Sequence, residues 1–178
     1  MSRPWPETQL AWIERERSFS LWLHHAAARA FAVPLLTLVS RLGDGWIWYA
    51  VVAVLPWFTG AAGTACAVRM VAVGLVDLLI YRIVKRWIAR PRPARSCPGI
   101  RECTRPLDEY SFPSGHTLHA VAFSVVLGAY CPGCRPVVWA FTALVALSRV
   151  ALGLHYPSDV LVAALIGALT AGFSFNLL

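Results

Sequence analysis

The chain has 178 residues and a mass of 19.5 kDa, which is enough for one domain. It is 58% hydrophobic with a mean hydropathy of +0.60, and only 14% charged against about a quarter in soluble domains. That composition excludes a disordered chain, five cysteines are too few for a disulfide scaffold, and an integral membrane protein remains, whose net charge of +7 suits anionic lipid or a phosphorylated substrate better than nucleic acid.

Residues 5 to 23 interleave Trp5, Trp12, Ile13, Phe19, Trp22 and Leu23 with Glu7, Glu14, Arg15, Glu16 and Arg17. Those charges break any early apolar run, so the segment does not read as a secretory signal. The mixture predicts a helix lying at the membrane interface with tryptophans at headgroup depth, or else a frayed tail. His24 and His25 read as interfacial. A membrane-spanning helix needs about 20 mostly apolar residues. Residues 45–68 hold no charge in 24 positions and residues 160–178 none in 19, while 110–134 carry only His116 and His119. Six spans are predicted, over 25–42, 45–63, 64–87, 114–131, 135–154 and 157–177. The expected fold is therefore all-α: a polytopic membrane helical bundle of six transmembrane helices plus an N-terminal interfacial helix. It divides into an N-terminal segment, 1–24, and a membrane domain, 25–178.

In the third span Asp77 lies eight residues from both Arg69 and Lys85, so the three share a helix face with Tyr81. Asp77 is expected to neutralise a nearby arginine. The connection 88–113 holds Pro91, Pro93, Pro98, Pro106 and Pro113, which exclude a continuous helix. Eight cations fall between Arg82 and Arg105 against Glu102 alone, which accounts for the net charge of the whole chain. Most of these arginines (Arg82, Arg86, Arg90, Arg95, Arg101 and Arg105) read as lipid-headgroup anchors. His119, three residues past His116, reads as packing. Cys131-Pro-Gly-Cys134 reads as a tight turn between spans four and five, and Cys66 as core.

Three segments carry chemistry. Lys85 to Pro93 closes span three, Pro113-Ser114-Gly115-His116 opens span four, and Ser148 to Asp159 joins spans five and six. Spans four and five cross the membrane twice, so all three segments meet at one membrane face. Lys85, Arg92 and Arg149 are cations able to surround one phosphate. Ser114 and Gly115 begin a helix whose free N–H groups favour an anion. His155 and Asp159 are four residues apart, and a carboxylate beside imidazole fixes its tautomer and leaves the other nitrogen free to attack. His116 is a second imidazole able to protonate a leaving alkoxide. Nucleophile, acid and cationic cradle together make a phosphoryl-transfer site.

These segments resemble the signature of the type-2 phosphatidic acid phosphatase and vanadium haloperoxidase superfamily, K-x6-R-P, then P-S-G-H, then S-R-x5-H-x3-D. Lys85, Arg92 and Pro93 match the first part, Pro113 to His116 the second, and Ser148, Arg149, His155 and Asp159 the third. The resemblance implies a helical bundle in which His155 forms a phosphohistidine, Asp159 orients it, and His116 protonates the leaving group and then activates water. By the same resemblance Lys85, Arg92, Ser114, Gly115 and Arg149 hold the phosphate oxygens, and no metal or other cofactor is expected. The implied activity is a bacterial membrane lipid phosphatase acting on a lipid phosphate, with undecaprenyl diphosphate, phosphatidylglycerol phosphate or phosphatidate as substrate. The undecaprenyl-diphosphatase-like branch is the first choice. A vanadium-dependent haloperoxidase and a non-catalytic protein that binds anionic membrane lipids are the alternatives. The expected location is the bacterial inner membrane. Arg15, Arg17 and Arg29 favour a cytoplasmic N-terminus, which puts the end of span three and the active site on the periplasmic face, where Cys97 and Cys103 are able to pair.

Overall fold

The computed structural model describes residues 7–27, 31–106 and 108–177. Every regular element among them is helical: α1 (Glu7–Ala27), α2 (Ala32–Leu42), α3 (Trp46–Ile88), α4 (Pro93–Ser96), α5 (Gly115–Tyr130), α6 (Arg135–Ala151) and α7 (Pro157–Leu177). Three stretches are long and apolar enough to cross a membrane, Trp46–Ser96, Pro132–Ala151 and Pro157–Leu177. A helix of 21 residues such as α7 is about 32 Å long, which matches a hydrocarbon core of about 30 Å.

α3 is two helical arms. Its run is interrupted at Gly60, with φ 59° and ψ −132°, a left-handed φ that glycine adopts without a Cβ clash. Trp48, Tyr49 and Val52 of the first arm line one cavity with Met70, Val71 and Gly74 of the second. A straight helix would hold Trp48 and Gly74 about 39 Å apart. The chain therefore doubles back at Gly60, and the arms correspond to the segments predicted over 45–63 and 64–87. The predicted span over 25–42 includes residues 28–30, which lie outside the described residues; its described C-terminal part, α2, has 11 residues and reaches only about 16 Å, short of a hydrocarbon core.

α5 is the central helix, buried through Leu118, Ala120, Val121, Ala122, Val126 and Leu127. Trp48 and Phe123 pack at a tilt in the main core with ring centroids 5.3 Å apart. α7 presents two faces at helical spacing. Ala163, Gly167 and Ala171 are buried, and a Cβ on Gly167 would stand 2.4 Å from the Leu118 carbonyl oxygen of α5. Leu161, Leu165, Leu169 and Phe173 point outward. Small residues let helix backbones approach closely, while the apolar outer stripe suits lipid as solvent.

α1 belongs to the bundle, packing on α4, α6 and α7 through a face that includes Ile13, Ser20, His24 and Ala27. His24 is buried against the bundle, and its Nδ1 donates to the Ala151 carbonyl at 2.9 Å. Phe19 and Trp22 stay exposed. Trp5, Arg29 and the Trp12 side chain lie outside the described residues. Asp77 also departs from expectation. It accepts from Thr170 Oγ1 at 2.7 Å, whereas Arg69 donates to Tyr130 and to the Ser174 carbonyl and stacks on Phe175 at the far end of the bundle. The shared helix face was right, but Asp77 and Arg69 each found a partner on another helix. Cys131 to Cys134 form the turn between α5 and α6, and Cys66 is core. Cys97 and Cys103 are free thiols, with Cys97 buried against the Tyr156 hydroxyl.

Candidate active site

The three motif segments are joined by direct bonds. Arg92 Nη1 donates to the Leu154 carbonyl at 2.6 Å, and the Ser114 N–H donates to the Asp159 carbonyl at 3.2 Å. Arg149 Nη2 lies 3.4 Å from His155 Nε2. The arginine has only donors to offer, so Nε2 is the acceptor and the ring proton sits on Nδ1. Nδ1 stands 3.6 Å from Asp159 Oδ2, too far for a hydrogen bond, and has no hydrogen-bond partner among the described residues. Asp159 Oδ2 instead accepts from the Tyr156 N–H at 2.8 Å. The expected histidine–carboxylate pair is therefore adjacent and correctly oriented but open by several tenths of an ångström.

Local sequence explains the placement. Pro157 starts α7, so Asp159 falls in its first turn, where a carboxylate faces the positive helix end. His155 sits in the connection between α6 and α7. It is only 2% exposed, and burial together with the charges of Arg149, Arg92 and Lys85 holds its pKa well below the ordinary histidine value. The ring is neutral at physiological pH, with Nε2 unprotonated and turned toward the cations.

Lys85 and Arg92 share one carboxylate that motif reasoning missed. Asp108 Oδ1 lies 2.7 Å from Lys85 Nζ and 2.8 Å from Arg92 Nη2, and Oδ2 accepts from the Tyr81 hydroxyl. Burial raises the Asp108 pKa, but bonds from Lys85 and Tyr81 and the charges of Lys85 and Arg92 outweigh it and hold the carboxyl below its usual range. Tyr81 also accepts from Lys85 Nζ at 2.9 Å and lies against Gly115. Ser114 is the N-cap of α5, its hydroxyl occupied by Thr117 at 3.0 Å. His116, one residue into the helix, pairs through Nε2 with Asp44 of the α2–α3 turn. Arg149 donates to Ser40 of α2. His119 packs on Phe123 and bonds the Gly115 carbonyl, as a packing residue does.

One anchor was misread. Arg82, Arg86, Arg95, Arg101 and Arg105 are exposed, but Arg90 is only 2% exposed and its Nη1 bonds Asp159 Oδ1 at 2.8 Å. Pro91 and Pro93 turn the chain inward around it. Among all eight sequence-predicted site residues, only Gly115 is more than slightly exposed.

Residues 65–178 match the model of the PAP2 superfamily. The chain belongs to that superfamily. Its PAP2 region takes in all three segments and leaves α1, α2 and the first arm of α3 outside. The chain is 28% identical over 165 residues to phosphatidylglycerophosphatase B of Bacillus subtilis, covering 86% of this chain and 66% of that one. It is 30% identical over 138 residues to the undecaprenyl-diphosphatase of Sulfolobus acidocaldarius, covering 75% and 65%. The chain thus spans just under two thirds of the length of these relatives. The crystal structure of Aquifex aeolicus LpxE shares the fold, with a TM-score of 0.79 at 22% identity over 89% of this chain and 93% of that one.

Proposed function

We propose that this PAP2 protein is a membrane phosphatase that hydrolyses a lipid phosphomonoester or diphosphate through a phosphohistidine. One observation carries the reading. The buried neutral His155 turns its unprotonated Nε2 toward Arg149 at 3.4 Å, within a group of buried cations at the start of α5. His155 Nε2 attacks phosphorus and forms the N–P bond as the P–O bond to the lipid breaks. His116, held by Asp44, gives the departing oxygen its proton. His116 then takes a proton from water, whose oxygen attacks phosphorus as the N–P bond to His155 breaks and inorganic phosphate leaves. Lys85, Arg92, Arg149 and the Gly115 N–H stabilise the equatorial oxygens, the Ser114 N–H being taken by the Asp159 carbonyl, so charge stabilisation comes from the protein. The Asp159 carboxylate, 3.6 Å from His155 Nδ1, favours the proton on that nitrogen. The phosphate replaces Asp108 as partner of Lys85 and Arg92.

A lipid substrate is supported by the cavity beside the site. About 380 Å³ in volume, it is lined by apolar residues of both α3 arms and by Phe123, and Tyr81, Gly115 and His116 stand at its polar end. A phosphate in the cradle leaves its apolar tail next to this cavity. The two named relatives act on phosphatidylglycerophosphate and undecaprenyl diphosphate by their names, and both are phosphates on lipids. We place the site on the periplasmic face of a bacterial inner membrane.

Purified protein should release phosphate from at least one of undecaprenyl diphosphate, phosphatidylglycerol phosphate and phosphatidate with a divalent-metal chelator present. Activity lost in chelator and restored by magnesium contradicts the mechanism, and no release from any of the three contradicts the reading.

A further inference from the structure

Asp159 is fully buried, and its nearest cation is not the histidine it serves but Arg90, at 2.8 Å against 3.6 Å. Both terminal nitrogens of Arg90 have further partners. Nη1 also reaches Ser158 Oγ at 2.7 Å, Nη2 reaches Glu16 Oε1 at 3.2 Å, and the guanidinium lies 4.0 Å from the Tyr156 ring centroid. Glu16 comes from α1, outside the PAP2 match. Its Oε2 accepts from the Ser158 N–H at 2.9 Å and its Oε1 from the Ser158 hydroxyl at 2.7 Å. Ser158 is the second residue of α7, so Glu16 satisfies one of the N–H groups that the start of a helix leaves unpaired. A negative charge is also favoured there by the helix dipole.

We propose that Arg90 and Glu16 are a pair of positioning residues, through which α1 fixes the Asp159 carboxylate and the N-terminal turn of α7 beneath His155. The proposal rests on the reading of His155 as nucleophile. Arg90 compensates a carboxylate that has no water to solvate it, and a buried carboxylate without such a partner protonates or turns away. Glu16 fixes the far side of the guanidinium and ties it to Ser158, the residue next to Asp159. Three charges in line, carboxylate, guanidinium, carboxylate, then set where Oδ2 stands relative to His155 Nδ1. The phosphoryl cradle of Lys85, Arg92 and Arg149 makes no bond to this pair, so the pair acts on orientation of the nucleophile and not on phosphate binding.

The test uses the full chain in detergent, with kcat and KM for a lipid phosphate measured per folded molecule. Arg90→Gln should lower kcat by about tenfold to a hundredfold, the range expected when a reacting group is misplaced, with KM unchanged within about threefold. Arg90→Lys keeps the charge and should recover part of that loss. Glu16→Gln should lower kcat by about three- to tenfold, and Glu16→Gln combined with Arg90→Gln should be no worse than Arg90→Gln alone, because Glu16 acts through Arg90. A merely structural role would lower the melting temperature or folded yield and leave kcat per folded molecule untouched. A folded Arg90→Gln with wild-type kcat, or fully multiplicative losses in the double variant, overturns the proposal. If Arg90→Gln does not fold, the near-isosteric Glu16→Gln decides: a threefold or larger fall in kcat at constant KM supports the pair, and an unchanged kcat overturns it. Labelled phosphate trapped on wild-type His155, with unchanged kcat in the variants, refutes the pair alone. No label on wild-type His155 refutes the reading beneath it.

Discussion

Asp44 and Asp108 each hold a group that the motif segments supply, and neither lies in a motif. Asp44 stands in the turn before α3 and fixes His116, so the proposed acid is oriented by a carboxylate 72 positions away. His116→Ala should lower turnover by about 10²–10⁴-fold, the usual contribution of a general acid–base group. Asp44→Asn keeps a polar partner and should cost less, with the loss falling on kcat. Equal phosphate release by His116→Ala and wild type would remove His116 from the chemistry. Asp108 occupies Lys85 and Arg92 as a phosphate would, so Asp108→Asn should make vanadate or inorganic phosphate inhibit several-fold more tightly. Weaker inhibition would mean that the carboxylate positions the cations instead. Signature spacing made Lys85, Arg92, Ser114, His116, Arg149, His155 and Asp159 legible in the sequence. Arg90 was not, because its neighbours Arg86 and Arg95 are exposed residues of the same type and only the path of the Pro91–Pro93 turn takes Arg90 inward. Glu16, Asp44 and Asp108 contribute through contacts that are long in sequence, and no local pattern encodes those.

The helices show the same division. Charge-free runs in the sequence mark the first arm of α3 and the length of α7, since the cost of placing charge in hydrocarbon writes itself into composition. The docking of α1 is different, because it rests on His24 against the Ala151 carbonyl and on Ala27 in a cluster with Leu36, Leu152 and Leu154, contacts that no local pattern announces. The α5–α7 crossing depends on Gly167. Gly167→Leu would drive a side chain into the Leu118 carbonyl, at a cost of about 1–3 kcal/mol or more for an overpacked core. The same crossing carries the Ser114 N–H to Asp159 bond. Melting temperature and turnover should therefore fall together in Gly167→Leu. A variant with wild-type stability and activity would show that the crossing tolerates separation.

At the scale of the molecule, α5 leads from the site at Gly115 to Tyr130, so the α5–α6 turn lies at the opposite end of the bundle from the basic loop. Cys103 marks the site end and Cys131 the other, and Cys97 is too buried to report. In intact cells a membrane-impermeant thiol reagent should label Cys103, with Cys131 reached only after permeabilisation. The reverse pattern inverts the proposed orientation. The account as a whole stands on the nucleophile. Purified protein mixed with a lipid phosphate labelled at phosphorus should be quenched in alkaline detergent, where an N–P bond to histidine survives, and digested for peptide mapping. Label on the peptide that carries His155, absent in His155→Ala, is the predicted result. Label on a serine or an aspartate, or turnover by His155→Ala at the wild-type rate, would contradict it.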